Sequence, residues 1–571
     1  MKGKILLLAS VFCSAFAWSQ NANVQIVHNC PTPAADSVDI YLFDGTNWNT
    51  TAAVSNLKFR QATPYVSLPA ISGLRVAVAP RDASPSIADT LASFAVPALT
   101  ANADYVAFAA GLVGDVSRPF NIYFSGGAQA AASGSVTDLL VFHGGVDAPS
   151  VSVFVAPNGA APAIPALDYG SFTASYISFA PQPTLLALTP SADLNSLVAG
   201  FSVDLTPLSG AAAVVFASGY LNAGSGAAFG LFAALPSGAV VQLAATPVYR
   251  LQVAHNCPDP LAAVVDVYVD AGAGPSELLD SLAFRSGSPV LLLPVAPLDI
   301  LIAPYNAGAG AAVATIPFSP VANTNYTAVA NGLIDFSGTK FDQAESVNSN
   351  QAFNLKVVND ARVRAGSASD VSVYVYHQAP DAPAVDINLN TGGTVTTAFA
   401  NVPYMAAGEA ELPAAAPVQV EVAPAGQTTP VAAYTAPVNL FAGQAISVFA
   451  SGFLTPGDEN VSNLPAFGLW ALTAAGGPMI PLPAVALSLE QDAAQNPVSL
   501  YPNPSQGFIT LSGVENATSY SIISADGKTW MSGLLQPGAN TLDVSVLPAG
   551  TYYVKSAASG KVLVNSFVRY E

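Results

Sequence analysis

One short pattern recurs four times along the chain, so any fold built on it must itself repeat. It reads VQIVHNCPTPAADSVDIYLFDG from Val24, LLVFHGGVDAPSVSVFVAPNG from Leu139, RLQVAHNCPDPLAAVVDVYVDAG from Arg250 and VSVYVYHQAPDAPAVDINLNTGG from Val371. The 4 histidines of the sequence, His28, His143, His255 and His377, hold the same place in the four copies. They stand roughly 110–120 residues apart, about the size of one compact domain. Later landmarks keep step. VAVAPRD, ILIAPYN and VEVAPAG recur near Val76, Ile300 and Val420, and YVAFAAGL, AVVFASGY, YTAVANGL and SVFASGF near the end of each copy.

The copies fall into two kinds. The first and third share HNCP and carry two extra residues before the second strand, as His28 to Asp39 and His255 to Asp266 show against His377 to Asp386. They continue into FNIYF (Phe120) and FNLKV (Phe353), whereas the second and fourth end in FGLFAAL (Phe229) and FGLWALT (Phe467). The order A-B-A-B implies a two-domain unit that was duplicated. The expected division is repeat A1 at 21–135, B1 at 136–247, A2 at 248–368 and B2 at 369–486, then a linker at 487–496 and a different terminal segment at 497–571.

Each repeat reads as β-structure. Val38, Ile40 and Leu42 alternate with Asp39 and Tyr41, and the same period of two runs through Val265–Asp270 and 385–390. That pattern predicts a half-buried strand and puts Asp39, Asp266 and Asp386 on its wet face. Asp44-Gly45 and Gly392-Gly393 supply turns. Short strands at regular spacing, without a helical period, predict an all-β chain of tandem immunoglobulin-like antiparallel β-sandwiches followed by a small C-terminal β-sandwich.

With 51% apolar and 9% charged residues, 45 Pro and 44 Gly, the 571-residue chain is stiff and turn-rich, not disordered. A net charge of -19 argues against unassisted binding to nucleic acid or to an anionic membrane, since both attract basic surfaces. Residues 1–17 read as a secretory signal peptide. Lys2 and Lys4 precede an apolar run, and Ala15-Phe16-Ala17 forms a small-x-small cleavage site. Cys13 is a lipoprotein candidate, but the bulky Phe12 before it fits that cleavage poorly. Residues 211–245 carry no charge, yet Gly219, Asn222, Gly224, Ser225, Gly226 and Pro236 cut them into pieces of strand length, so no transmembrane segment is expected.

Two readings of the histidines are open. The residues two and four before each are apolar (Ile26 and Val24 for His28, Val375 and Val373 for His377), so strand alternation turns the ring inward. A neutral imidazole there would bond backbone groups of the Pro-rich turn. Alternatively, His143 with Asp147, His255 with Asp259 and His377 with Asp381 would form general-base dyads. No G-x-S-x-G, H-E-x-x-H or C-x-x-C accompanies them. The expectation is therefore a non-enzyme, with no catalytic residue, cofactor or metal site assigned. Cys30 and Cys257 stand where B1 and B2 have Gly145 and Ala379, a place for a small side chain. A bridge between them would require the two A repeats to touch. Calcium at domain junctions is conceivable for so acidic a chain, although no D-x-[DN]-x-[DN]-G loop is present.

Two resemblances add to this reading. Tyr501-Pro502-Asn503-Pro504-Ser505, Gly507, Asp526-Gly527-Lys528 and Leu547-Pro548-Ala549-Gly550 with Thr551-Tyr552-Tyr553-Val554 resemble the type IX secretion system C-terminal sorting domain. That resemblance implies export across the outer membrane, the secretion machinery as partner, and release or tethering to surface polysaccharide or lipopolysaccharide. The location implied is extracellular or on the outer cell surface. The pattern His-x-x-Pro-Asp-x-Pro-x-Val-Asp, best kept in HQAPDAPAVDI from His377, resembles domain of unknown function 4397. It implies an extracellular β-domain and no activity. Ser152 in B1 and Thr32 in A1 depart from the pattern where the sister repeats carry Asp. The functional expectation is an exported structural or adhesive binding protein. The alternative is a carbohydrate-binding or enzyme-accessory protein of the extracellular space.

Overall fold

The computed structural model describes residues 21–570 except 44–45, 82–86, 223, 335–350, 458, 460, 462, 488–497, 525–527 and 559–560. The signal-peptide segment, the Asp44-Gly45 turn, residues 488–496 of the linker and Gly527 lie outside the described residues. Tertiary contacts divide the chain into two units, Met1–Val485 and Ala486–Glu571.

The first unit is built of paired sheets. In A1 one sheet orders the strands Asn121–Gly126, Asp104–Ala110, Asn21–Asn29 and Gln61–Ala62, and the other Val54–Lys58, Ser37–Phe43, Arg75–Pro80 and Ala92–Ala95. B1, A2 and B2 repeat the scheme. Their histidine strands, Thr137–His143, Val248–His255 and Asp370–His377, lie in one sheet, and the strands that follow, Val151–Val155, Val264–Asp270 and Val385–Thr391, lie in the other. The sandwiches are antiparallel with one recurring exception. Each histidine strand runs parallel to a late strand of its own repeat: Asp104–Ala110, Ala212–Ser218, Asn325–Asn331 or Ala445–Ser451. The chain visits the other sheet in between and returns in its original direction.

The histidine-bearing sheets are buried on both faces. In A1, Val24 and Ile26 pack with Val38, Ile40 and Val78 of the opposite sheet of the same repeat. Their neighbours Val27, Val106 and Phe108 face the other way, into Leu140, Phe142, Val214 and Phe216 of B1. Phe108 and Phe142 stack across this seam with ring centroids 4.2 Å apart. The second pair repeats the arrangement, with Ala254 and Val329 of A2 against Tyr374, Tyr376 and Phe449 of B2. Each A·B pair is thus four sheets deep, and its inner strands read as near-continuous apolar runs for the reason that any doubly covered sheet does.

The pairs are also joined to each other. Phe154, Ala187 and Leu197 of B1 pack on Val248 and Leu292 of A2. From B1, Asn195 Oδ1 accepts the N–H groups of Val363 and Arg364 at 2.9 and 3.1 Å, and its Nδ2 donates to the Arg364 carbonyl at 3.1 Å. One amide side chain therefore clasps the segment joining A2 to B2.

The second unit is a smaller sandwich. Ser499–Tyr501, Phe508–Val514 and Gly538–Asp543 form one sheet, and Thr529–Leu535, Thr518–Ser524, Gly550–Ala558 and Lys561–Arg569 the other. Ile509, Leu511, Ile522, Leu535, Val554 and Phe567 fill the space between them. No helix among the described residues is long and apolar enough to cross a membrane.

Candidate functional site

The recurring polar residues converge on the turn after each histidine. All four rings are at least 99% buried. Each Nε2 meets a backbone carbonyl a few residues on: Ala35 at 2.6 Å, Pro149 at 2.9 Å, Ala262 at 2.6 Å and Pro383 at 2.9 Å. A carbonyl only accepts, so Nε2 carries the proton and donates, and Nδ1 is the acceptor. Burial depresses all four imidazoles below their ordinary range, His255 to about 4, so they are neutral at physiological pH. In the A repeats the extra residues form a short 3-10 turn, Pro33–Ala35 or Pro260–Ala262, whose last carbonyl takes the histidine bond.

The aspartates four residues after the histidines are spent on backbone groups. Asp381 accepts from the N–H groups of Leu454 and Thr455, both at 2.7 Å, and Asp147 from Leu221 at 2.6 Å and Asn222 at 2.9 Å. Asp259 caps Leu261 at 2.9 Å and accepts from Ile334 at 2.9 Å. In A1, Thr32 takes the same part, its Oγ1 accepting from the Val113 N–H at 3.1 Å. Every acceptor binds the loop just past the AGL, SGY, NGL or SGF landmark, so two distant sequence signals are two ends of one contact. Both oxygens of these carboxylates accept backbone N–H groups, and the imidazole proton goes to a carbonyl. Neither group of these pairs is oriented toward the other as a general-base dyad requires.

Asp39 and Asp266 require a correction: they are only 1% and 2% exposed and do not stand on a wet face, whereas Asp386 is half-buried. Each lies opposite a β-bulge and accepts the N–H of a bulged residue with positive φ: Asn56 at 2.7 Å, Ser281 at 3.0 Å and Asn401 at 2.6 Å. Asp266 and Asp386 also accept from Asn306 and Gly426, each at 2.8 Å, in the ILIAPYN and VEVAPAG landmarks. These bonds hold the Asp386 carboxyl below its usual range. A bulge turns donors toward a residue that simple alternation would leave to water. The departure at Ser152 follows from the same geometry. Its bulge offers the Pro165 carbonyl instead of an N–H, and the serine hydroxyl donates to it. Asp266 also gathers with Glu277 and Asp280, their ligand oxygens within 4.8 Å of one another, but both Asp266 oxygens already accept from the backbone.

Cys30 and Cys257 are free thiols with no solvent exposure, each in the core of its own repeat. The Cys257 thiol donates to the Gly332 carbonyl at 3.0 Å, and burial raises its pKa to about 12, which leaves it unreactive. A Cβ at Gly145, the B1 counterpart, would come within 3.1 Å of Phe229, so only a small group fits there.

Sequence reading missed what the A-specific residues do: they reach into the partner repeat. Gln25 Nε2 donates to Leu235 O at 2.7 Å, and Gln252 Nε2 to Thr473 O at 2.8 Å. Asn29 of the first HNCP donates to Ala217 O at 3.1 Å, and Asn256 of the second to Gln378 Oε1 at 2.9 Å. Arg60 binds Ser218 Oγ, Ser218 O and Ala228 O at 3.0, 3.2 and 2.5 Å, with its guanidinium 4.3 Å from the Phe232 ring centroid. Arg285 matches it, with Ser451 Oγ, Ser451 O and Ala466 O at 3.0, 3.1 and 2.8 Å and Trp470 at 4.2 Å. The signal was available as a Phe-Arg pair at the same place in both A repeats of a chain with only 17 Lys and Arg. The landmark glycines make room for the clamp. Gly219 and Gly452 have φ of +86° and +87°, and a Cβ on either would lie 2.6 or 2.7 Å from the arginine Nη2.

In the terminal unit, Asn503 ties the Tyr-Pro-Asn-Pro segment to the last strand. Its Nδ2 donates to Ser566 O at 3.0 Å and its Oδ1 accepts from Val568 N at 2.9 Å. Ser505 continues the contact, its N–H reaching Val568 O at 2.8 Å. Tyr501, Pro502 and Pro504 stay exposed, Gly507 precedes the strand Phe508–Val514, and Gly550 opens Gly550–Ala558.

Replacing His255 by Ala removes one buried bond and orphans the Ala262 carbonyl. We expect a loss of about 2–4 kcal/mol in A2, read by denaturant unfolding. A change in some binding activity at unchanged stability would contradict this framework role.

Comparison with known proteins supports one segment strongly. Residues 499–569 match the family model described as the secretion system C-terminal sorting domain. This tail marks proteins exported by type IX secretion, and it places the chain at the cell surface or in the extracellular space. No curated protein matches the chain. Among solved structures, the Bacillus anthracis TIE protein is similar at 9% identity and a TM-score of 0.11, covering 78% of this chain and 67% of that one. PorZ, an essential bacterial surface component of the type IX secretion system of Porphyromonas gingivalis, is similar at 10% identity and a TM-score of 0.12, covering 95% of this chain and 99% of that one. Scores this low carry no argument about fold or function.

Proposed function

We propose that the chain is a structural, adhesive protein without catalytic activity, displayed on or shed from the cell surface. An N-terminal signal peptide would take it through the inner membrane and the terminal domain through the type IX machinery. The four repeats would be members of domain of unknown function 4397. One observation carries the reading: among the described residues, the polar side chains that recur from repeat to repeat are engaged with backbone groups of the fold. Such residues preserve a rigid, tightly docked body whose loops are free to vary, which suits contact with a matrix or another surface.

The carbohydrate-binding reading has one feature in its favour, a polar cleft of about 770 Å³ where B1, A2 and the A2–B2 connection meet, lined by residues such as Asp193, Ser196, Asn323, Asp360 and Ser367. No aromatic ring lines it, so it lacks a stacking platform for sugar faces. A glycan array with the full chain discriminates: robust binding to one defined polysaccharide would favour the carbohydrate reading, and its absence together with adhesion to a surface or matrix protein the first. Deleting residues 499–571 is expected to abolish appearance outside the outer membrane and trap the protein in the periplasm, as measured by fractionation. Surface delivery without that segment would remove the export route on which the proposal rests.

A further inference from the structure

Arg250 opens the A2 histidine strand and has no solvent exposure. Its guanidinium lies over Phe154 of B1, 4.1 Å from the ring centroid. Nη1 donates to the Leu194 carbonyl at 2.8 Å and to Asn325 Oδ1 at 3.4 Å. Nε and Nη2 have no hydrogen-bond partner among the described residues. Those two nitrogens form the side edge of the guanidinium, the fork whose parallel N–H bonds grip an anion. The salt bridges of the described residues belong to Arg362, with Glu409 and Glu411, and none reaches Arg250.

Comparison of the two A repeats shows a carboxylate at a register position where A2 has a neutral amide. The residue five before the histidine is Asn23 in A1 and Arg250 in A2, and each pairs in register with the parallel strand, at Asp104 and Asn325 respectively. A1 therefore places an amide beside a carboxylate, bonded at 2.8 Å, while A2 places a guanidinium beside a neutral amide. Burial, and secondarily the Arg364 charge, disfavour the cation; Asp193 offsets only part of this and makes no hydrogen bond to it, and with its pKa lowered to about 10 Arg250 remains protonated at neutral pH. A buried charge without a partner costs several kcal/mol, and a water would satisfy the N–H groups without compensating the charge. Arg250, Asn325, Thr327, Tyr374 and Ser447 line a small enclosed cavity with room for one water or one monatomic ion.

We propose that the side edge of Arg250 holds a monatomic anion of chloride size, a structural ion sealed where B1, A2 and B2 meet. B1 supplies Phe154 and the Leu194 carbonyl, A2 supplies Arg250 and Asn325, and B2 supplies Tyr374 and Ser447. The site is complete only when the three repeats are docked, so the ion stabilises the assembled unit by linkage.

The test is thermal unfolding of the full chain in sodium chloride against sodium gluconate at equal ionic strength. The melting temperature should rise with chloride and saturate, and bromide should replace chloride and give an anomalous-scattering peak beside Arg250 Nε and Nη2. Asn325→Asp restores the A1 carboxylate and should abolish the halide dependence. It forfeits the bond from the Asn325 amide to the Asn195 carbonyl, so the readout is the halide dependence and not absolute stability. Arg250→Met should abolish the dependence too. Equal melting temperatures in the two salts with no bromide peak at the fork, or a dependence that survives Asn325→Asp, would overturn the proposal.

Discussion

Between pH 7 and pH 4 the four-repeat unit is expected to lose stability, by about 3 kcal/mol from His255 alone. His255 titrates at about 4 when folded and near its ordinary 6.5 when unfolded. Within that window the unfolded chain binds the extra proton, so the unfolding free energy falls as pH falls. Burial depresses His28, His143 and His377 in the same direction, and each adds to the loss. Net charge pulls the other way. The sequence pI is about 4.3, so self-repulsion fades across the same window and would by itself favour the compact state. Urea unfolding at pH 7 and pH 4.5 decides between the two. His255→Gln should flatten the profile even though it lowers stability at pH 7, and because the net-charge term is common to both proteins, an unchanged pH 7 to 4.5 difference in the variant would mean that His255 is not held neutral.

Removing the Arg285 clamp should cost about 3–5 kcal/mol and loosen A2 from B2. The guanidinium is the partner of the Ser451 and Ala466 carbonyls across the seam, and Trp470 covers its face. Burial lowers its pKa to about 10, so it stays charged and fully engaged. In Arg285→Ala the carbonyls lose their donor and the ring loses its cover, and the segment joining A2 to B2 should become sensitive to proteolysis. Arg60→Ala should do the same to A1 and B1, because its contacts match. Gly452→Ala is not an equivalent test, since its methyl group would meet the Ala466 carbonyl, and the Pro465 carbonyl at 2.6 Å, before the guanidinium at 2.7 Å and would force a left-handed φ on alanine. If Arg285→Ala unfolds no more easily than substitution of an exposed arginine such as Arg81, the seam is held by its apolar contacts alone.

Much of this was legible in the residues. The histidine spacing marked four sandwiches, and the apolar positions two and four before each ring correctly implied inward-facing imidazoles. The extra HNCP residues separated A from B, and the Tyr-Pro-Asn-Pro segment announced the terminal domain. Asp39 and Asp266 were read wrongly because alternation assigns faces but cannot see a bulge, and it is the bulge that turns a backbone N–H toward them, as it does toward the half-buried Asp386. Gln25, Asn29 and Arg60 escaped notice for a related reason. A polar side chain in a strand looks like a solvent position until a second sheet is found covering it.

The sequence by itself determined the local grammar: which segments are strands, where the turns fall, how often the unit repeats and which end carries the export signal. These follow from side-chain period, proline and glycine placement and short motifs, all properties of neighbouring residues. Tertiary structure alone decided that A and B dock back to back in four layers, that one loop of B1 clasps the A2–B2 connection, and that Arg250 is buried with no hydrogen-bonded carboxylate among the described residues. Those outcomes depend on pairing groups as much as 221 residues apart, and no period or motif records which distant carbonyl a buried donor will find.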